Sequence, residues 1–236
     1  MRHLGHTRSA YRPDHLLLTP DTFVRAPLPG MRNATAIVHV SPAAGAAFTQ
    51  FTALLEPDGE LAQAAWQRFI YVVEGRINID GRVLAEGGYA FLPARHPSVV
   101  RAGVSSRLAV IEKPYVSLAG VTAPDVLFGE ESAVHPQPLE GDDALAVRAL
   151  LPSDPAFDFA VNIMTYQPGA SLPMVESHVM EHGLLMLEGG GIYRLSDNWY
   201  PVSEGDFIWM APYCPQWFGA LGKKPAKYLI YKDWNR

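Results

Sequence analysis

Two stretches of the chain, EGGYAFLPARHPS at residues 86–98 and EGDFIWMAPYCPQ at residues 204–216, repeat one another position by position. Each begins with a Glu-Gly turn, continues as a short apolar run and ends in a second turn that contains proline, which is the pattern of a β-strand between two turns. Upstream, IYVVEG at residues 70–75 and LLMLEG at residues 184–189 repeat in the same order. A repeated run of short strands predicts two similar β units in one chain.

The rest of the chain has the same short-segment character, with 20 Gly and 20 Pro among 236 residues. We therefore expect an all-β fold of the sandwich or barrel class, with one short helix at residues 142–151. The predicted division is a first domain at residues 1–125, a linker at residues 126–145, where Pro, Glu and Asp accumulate, and a second domain at residues 146–236.

The charge of the chain limits the kinds of binding partner that can be expected. Lys and Arg number 19 against 24 Asp and Glu, for a net charge of −5. This gives no electrostatic footprint for nucleic acid or for an anionic membrane, so a small molecule is the expected ligand. The single Cys cannot form an internal disulfide, and residues 1–11 lack the apolar run of a signal peptide, so a cytoplasmic location is expected.

The order of these segments resembles the cupin superfamily. A strand ending in Glu-Gly, a hairpin, a Glu-Gly-Asp turn and a strand that runs into a proline turn are typical of these small jelly-roll barrels, which are built of two antiparallel sheets. The resemblance implies a bicupin, with two tandem double-stranded β-helix barrels.

Possible metal ligands are concentrated in the second repeat. Cupin ligands lie on two neighbouring strands, and here ESHVMEH at residues 176–182 supplies Glu176, His178 and His182, while Gln216 follows the second glycine turn. The first three are separated by even numbers of residues, so in an extended segment they point to one face, whereas Glu181 is expected to face outward.

This mixed set of nitrogen and oxygen donors suits Mn²⁺, Fe²⁺, Ni²⁺ or Zn²⁺, and the neutral amide oxygen favours Mn²⁺. An exposed polar strand face is the alternative explanation for the same residues.

The first repeat is an internal control. Ala62, Ala64, Arg68 and Ser98 occupy the positions that match the four proposed ligands. A barrel can therefore be built without the ligands, which favours metal binding over a scaffold role for them. Cys214 matches a histidine in this metal-free copy, so it is expected to occupy an ordinary turn rather than to bind metal.

The ligand spacing resembles that of the (S)-ureidoglycine aminohydrolases, which are Mn²⁺-dependent bicupins of allantoin degradation. LTPD at residues 18–21 and SPAAG at residues 41–45 resemble the N-terminal region of that family, and residues 174–233 resemble its active half, so the resemblance covers most of the chain.

The resemblance implies hydrolysis of (S)-ureidoglycine to ureidoglycolate and ammonia in purine degradation, a homo-oligomer, and Mn²⁺ as cofactor. It places Tyr193, Tyr228 and Lys232 at substrate-contacting positions, and Tyr228 and Lys232 share strand parity. Lys232 and Glu176 are the candidate catalytic residues, and a role of Glu176 as the base is a hypothesis.

Two other functions stay open. Another metal cupin enzyme, such as an oxygen-dependent dioxygenase, would use a similar pocket, although such sites usually carry three His and one Glu. A non-catalytic cupin that binds a small molecule is the second alternative. Oxygen consumption with an aromatic substrate would distinguish the dioxygenase.

Overall fold

The computed structural model describes residues 6–233, and these residues form β-strands joined by turns and three short 3₁₀ segments at Pro20–Thr22, Pro42–Ala44 and Glu131–Ala133. The all-β prediction is confirmed. Within the described range, no helix is long and apolar enough to cross a membrane.

In chain order the strands are β1 (Ala10–Tyr11), β2 (His15–Leu18), β3 (Met31–Val40), β4 (Thr49–Leu61), β5 (Gln67–Glu74), β6 (Arg76–Ile79), β7 (Arg82–Ala85), β8 (Gly88–Leu92), β9 (Val100–Ala102), β10 (Ser106–Lys113), β11 (Leu127–Glu130), β12 (Gln137–Leu139), β13 (Asp142–Ala149), β14 (Phe159–Tyr166), β15 (His182–Glu188), β16 (Gly190–Leu195), β17 (Asn198–Ser203), β18 (Phe207–Met210), β19 (Gln216–Ala220) and β20 (Ala226–Asp233).

The first unit comprises Val24–Val134 and Asp154–Asp158. Its strands form one sheet in the order β11-β8-β5-β10-β4-β9-β6-β7, with β3 also paired to β4. The long strand β4 pairs with β10 along most of its length and with β9 at its end, so the sheet curls around one core. Phe51, Ile70 and Val100 lie in that buried cluster.

Within the described residues, the second unit comprises residues 6–23, 135–153 and 159–233. It has a larger sheet in the order β1-β2-β18-β15-β20-β14-β13-β12 and a smaller one in the order β17-β16-β19. Apolar side chains of both sheets, such as Leu184 and Phe218, share one buried cluster. The alternation of buried and partly exposed residues along β16 follows from the two-residue period of a strand.

The sequence repeat corresponds to the same strand order in both units. The order β8-β5-β10-β4 in the first unit matches β18-β15-β20-β14 in the second. Arg68 pairs with Leu92 and Glu112 in the first unit, and His182 pairs with Met210 and Lys232 at the equivalent points of the second. The bicupin prediction is thereby confirmed at the level of register.

The division of the chain differs from the predicted boundaries. The described residues before Val24 belong to the second unit, where β2 pairs with β18 along its full length. The predicted linker at residues 126–145 contains β11, β12 and the start of β13, and the chain changes unit near residue 134. Pairing between strands that lie far apart in sequence leaves no local signal, which explains the difference.

The predicted helix at residues 142–151 is wrong, because this segment forms strand β13. β13 pairs with both β12 and β14, and it buries Leu145 in the core of the second unit. Pairing and burial override the helical propensity of an Ala-rich segment.

Candidate metal centre

Three of the four predicted ligands meet at one point in the second unit. The Nε2 atoms of His178 and His182 lie 3.2 Å apart, and the side-chain amide of Gln216 lies 2.9 Å from His178 Nε2. The two imidazole rings are nearly perpendicular, with centroids 4.8 Å apart. His182 and Gln216 are almost fully buried.

The predicted extended segment is not one strand. His182 opens β15, whereas Glu176 forms an isolated bridge with Gln216 and His178 lies in the loop between them. Glu176 and Gln216 exchange two backbone hydrogen bonds of 2.8 Å, so the loop folds back onto the start of β19. Convergence of the donors arises from this fold-back rather than from the parity of a single strand.

The tautomers of the two histidines leave lone pairs that face one another. His182 Nδ1–H donates to the carbonyl of Tyr231 at 3.2 Å, so in the neutral ring Nε2 has no proton. With the Gln216 amide in its present orientation, its N–H donates to His178 Nε2, and that nitrogen is then also an acceptor. Burial lowers the pKa of His182 to about 3, and the positive charge of Lys232 and neighbouring His178 act in the same direction.

Two facing lone pairs of this kind repel one another unless a cation lies between them. Two nitrogen ligands at about 2.1 Å from a cation, at an angle near 90–100°, are about 3 Å apart, which matches the observed separation. Among the described residues, the buried Nδ1 of His178 has no hydrogen-bond partner, so this ring is held less firmly than that of His182. Rotation of the Gln216 amide would turn its oxygen toward the same point. The donor set therefore fits a divalent cation.

The carboxylate of Glu176 has a different position from the other donors. Glu176 does not form a group of three with the two histidines in which all donor atoms lie within 4.8 Å of one another. Within residues 6–233, the group of three or more His, Cys, Asp or Glu residues that meets this distance is Asp14, His15 and Cys214. Burial is the main cause of the pKa shifts of Tyr166, Tyr193, Tyr228 and Lys232, and the charge of Glu176 makes a smaller upward contribution to each, so it acts on the barrel interior.

The predicted substrate-contacting residues line that interior. Tyr193 projects from β16, and Tyr228 and Lys232 from one face of β20, where Lys232 is the register partner of His182. Burial raises the pKa of Tyr193 and of Tyr228, so both hydroxyls are donors at neutral pH. Burial lowers the pKa of the Lys232 ammonium, and Glu176 opposes that shift.

One interior residue has no counterpart among the sequence predictions. The hydroxyl of Tyr166 lies 2.8 Å from that of Tyr228, and the Tyr166 ring packs edge-on against Phe218 at 4.9 Å. Tyr166 ends β14, and its parity with Met164, another core residue, was the signal that could have identified it.

The prediction that Glu181 faces outward is correct for its direction but not for its exposure. Glu181 alternates with His182 and faces away from the ligands, but it is buried and accepts a 3.0 Å hydrogen bond from the indole N–H of Trp209. The carboxylate is therefore a structural acceptor behind β18.

Cys214 is buried beside Ser196, with Sγ 3.9 Å from the Ser196 hydroxyl, and burial raises its pKa to about 11. The thiol is therefore protonated at neutral pH, and it lies in the turn that the sequence predicts for this position.

The equivalent point of the first unit has different chemistry. Arg68 and Glu112 form a 2.6 Å ion pair at the positions of His182 and Lys232, and Arg68 also donates to the carbonyl of Ala62 at 2.8 Å. Both residues line a cavity of about 270 Å³. The interior tyrosines are replaced in the core by aliphatic side chains such as Ile79 and Leu108.

Comparisons with known proteins agree with this architecture. A cupin-domain family model matches residues 162–231. The (S)-ureidoglycine aminohydrolase of Arabidopsis thaliana is 40% identical over 98% of this chain and 80% of its own length. The (S)-ureidoglycine aminohydrolase of Escherichia coli K12 is 34% identical over 93% of this chain and 88% of its own length. The crystal structure of protein Ylba from E. coli superposes with a TM-score of 0.85 at 30% identity, over 98% of this chain and 95% of that one.

Proposed function

The chain belongs to the (S)-ureidoglycine aminohydrolase family, and we propose that it hydrolyses (S)-ureidoglycine to ureidoglycolate and ammonia, a step of allantoin and purine degradation. The observation that carries the proposal is the convergence of His178, His182 and Gln216 beside an interior lined by tyrosines and Lys232. His182 on β15 and Lys232 on β20 thus lie opposite one another on neighbouring strands.

The proposed ligands are Glu176, His178, His182 and Gln216. Two imidazoles and an amide already face one point, and Glu176 is paired with Gln216 in an isolated bridge, so its carboxylate is the fourth proposed ligand. A divalent cation in such a site polarises a bound oxygen and lowers the pKa of water without redox change. Mn²⁺ is the proposed ion, because the set contains hard oxygen donors and no thiolate.

The reacting carbon of ureidoglycine carries an amino group, a ureido nitrogen and a carboxylate. In the first step the C–N bond to the amino group breaks and the ureido nitrogen forms a C=N bond with its lone pair, while its proton leaves with the ammonia. In the second step water adds its oxygen to the carbon and returns one proton to the ureido nitrogen. The sum is one water consumed and one ammonia released.

The interior side chains supply recognition and proton transfer. Lys232 is half-buried, and the nearby charge of Glu176 favours its charged form, so it is the proposed partner of the substrate carboxylate. The hydroxyls of Tyr193 and Tyr228 stay protonated and can donate to the ureido carbonyl. The charge of Glu176 acts on the same interior, and Glu176 is the proposed acceptor for the ureido proton. Full activity with retained metal in Glu176→Gln would exclude that role.

A homo-oligomer and a cytoplasmic location are further parts of the proposal and rest on the family resemblance. Light scattering coupled to gel filtration measures the first directly, and a monomer at working concentration would contradict it.

Ammonia release above the spontaneous rate tests the function. The chelated protein is mixed with freshly generated ureidoglycine, with and without Mn²⁺, and Gln216→Ala is compared with Ser98→Ala at the equivalent position of the first unit. We expect acceleration that requires metal, is lost in Gln216→Ala and is kept in Ser98→Ala.

No acceleration in a protein that binds metal would overturn the substrate. Acceleration that is independent of metal would overturn the metal centre, and consumption of oxygen with an aromatic substrate would favour a dioxygenase instead.

A further inference from the structure

We propose that Asp14 and His15, in and just before strand β2, are positioning residues of the metal centre. They hold the turn at residues 211–216, which presents Gln216 and supports His178. The inference rests on the proposed metal centre, but it concerns a part of the chain about 160 residues away from the first ligand in sequence.

Asp14 is joined to this turn once directly and once through Ser196. Its carbonyl accepts a 2.9 Å hydrogen bond from the N–H of Ala211, and its carboxylate accepts one from the hydroxyl of Ser196. The N–H of Ser196 in turn donates to the carbonyl of Pro215 at 2.7 Å. Two consecutive hydrogen bonds therefore run from the Asp14 carboxylate to the residue before Gln216.

His15 fixes the carboxylate of Asp14 from the other side. Its Nδ1–H donates to that carboxylate at 2.8 Å, and its Nε2 accepts from the hydroxyl of Tyr200 at 2.9 Å. The ring is fully buried, and burial lowers its pKa, so the neutral tautomer is the relevant one. His15 pairs with Met210, whose other neighbour is the ligand His182.

The same turn supports the other loop ligand. The N–H of Tyr213 donates to the carbonyl of His178 at 2.7 Å, and the hydroxyl of Ser177 donates to the carbonyl of Tyr213 at 3.0 Å. A shift of the turn would therefore move Gln216 and His178 together. Because ligand geometry sets metal affinity, the Asp14 contacts should be visible in metal binding.

A second explanation places metal on Asp14, His15 and Cys214, whose donor atoms lie within 4.8 Å of one another. Both ring nitrogens of His15 are already hydrogen-bonded, and the carboxylate of Asp14 already accepts from His15 and from the hydroxyl of Ser196. These contacts favour a role of Asp14 and His15 in holding the turn by hydrogen bonds. The two explanations differ in metal stoichiometry, because a metal at Asp14 would add a second equivalent.

The test is calorimetric titration of the full chain with Mn²⁺, which gives affinity and stoichiometry. Asp14→Ala removes the acceptor, Asp14→Asn keeps one acceptor oxygen, and Tyr200→Phe frees His15 without creating a cavity. Arg8→Gln is the matched control, because Arg8 anchors the same N-terminal segment to Asp206 through a 2.5 Å ion pair away from the turn. Urea unfolding of the metal-free proteins gives each loss of stability.

We expect one equivalent of Mn²⁺ in every variant. Asp14→Ala should weaken binding about tenfold, the low end for residues that orient metal ligands. Asp14→Asn and Tyr200→Phe should weaken it less, and Arg8→Gln should leave it unchanged despite a loss of stability.

Equal affinity in Asp14→Ala and Arg8→Gln would overturn the inference and leave Asp14 a purely structural residue. A second equivalent that disappears in Asp14→Ala would overturn it in favour of a metal site at Asp14. Absence of Mn²⁺ binding by the unmodified protein would overturn the proposed metal centre itself, and that outcome is distinct from the other two.

Discussion

Replacing Tyr166 by Phe tests whether the interior tyrosines work as a connected set. The substitution removes one oxygen atom and keeps the ring that packs on Phe218. Tyr166 is fully buried, and its hydroxyl is 2.8 Å from that of Tyr228. The hydroxyl of Tyr193 acts electrostatically on that of Tyr228 within the same interior.

The expected loss follows from the single hydrogen bond that is removed. A buried hydrogen bond contributes about 1 kcal/mol net, and a donor left unsatisfied costs about 1–3 kcal/mol. Tyr166→Phe should therefore lower the free energy of unfolding by about 1–3 kcal/mol. Loss of one restraint on the Tyr228 hydroxyl should lower kcat/KM by about tenfold, which corresponds to about 1.4 kcal/mol.

The assay combines urea unfolding, Mn²⁺ titration and steady-state ammonia release. Tyr71→Phe is the control, because it removes a buried hydroxyl that donates to Glu131 at 2.5 Å in the first unit. We expect a similar stability loss in the control with full activity, and unchanged Mn²⁺ affinity in both. Full kcat/KM in Tyr166→Phe, or additive effects in the double variant with Tyr228→Phe, would refute the idea that Tyr166 orients Tyr228.

Three further outcomes follow from the structure. Mn²⁺ at a free concentration of about 100 times its Kd should raise the free energy of unfolding by about 2.7 kcal/mol, and thermal or urea unfolding of His178→Ala should lack that gain. Burial lowers the pKa of His39 to about 3, so between pH 6.5 and 3 the unfolded chain binds a proton that the folded chain does not. The free energy of unfolding should therefore fall by about 1.4 kcal/mol for each pH unit below pH 6.5. This slope, measured by urea unfolding, should be smaller in His39→Gln. A Cβ at Gly191 would lie 2.1 Å from a backbone carbonyl oxygen, whereas one at Gly103 meets nothing within 4 Å; Gly191→Ala should therefore cost about 1–3 kcal/mol in urea unfolding, and an equal effect of Gly103→Ala would contradict the packing argument.

Much of the fold could be predicted because its signals are local. Glu-Gly turns and short apolar runs occur in both halves, and the repeat fixed the equivalence of Arg68 and His182 that the strand register reproduces. The membership of β2 in the second unit could not be predicted in this way. The segment His15–Leu18 resembles any short apolar strand, and its pairing with β18 depends on contacts across about 190 residues.

The sequence predicted which residues of the candidate site meet better than it predicted how the chain brings them together. His178, His182 and Gln216 do meet, but through a loop that folds back on β19, which parity along one strand did not predict. Tyr166 could not be identified from the sequence, because a tyrosine at the end of a core strand has the pattern of an ordinary packed aromatic residue until the partner of its hydroxyl is known. The role proposed for Asp14 depends entirely on tertiary hydrogen bonds, so no sequence pattern could reveal it.

Ammonia release from (S)-ureidoglycine as a function of metal added to the chelated protein tests the central claim most directly. We predict that the rate rises in proportion to added Mn²⁺, reaches a plateau at one equivalent per chain and stays at the spontaneous background in His182→Ala. A rate that is independent of metal, or that persists in a His182→Ala protein unable to bind Mn²⁺, would contradict the account.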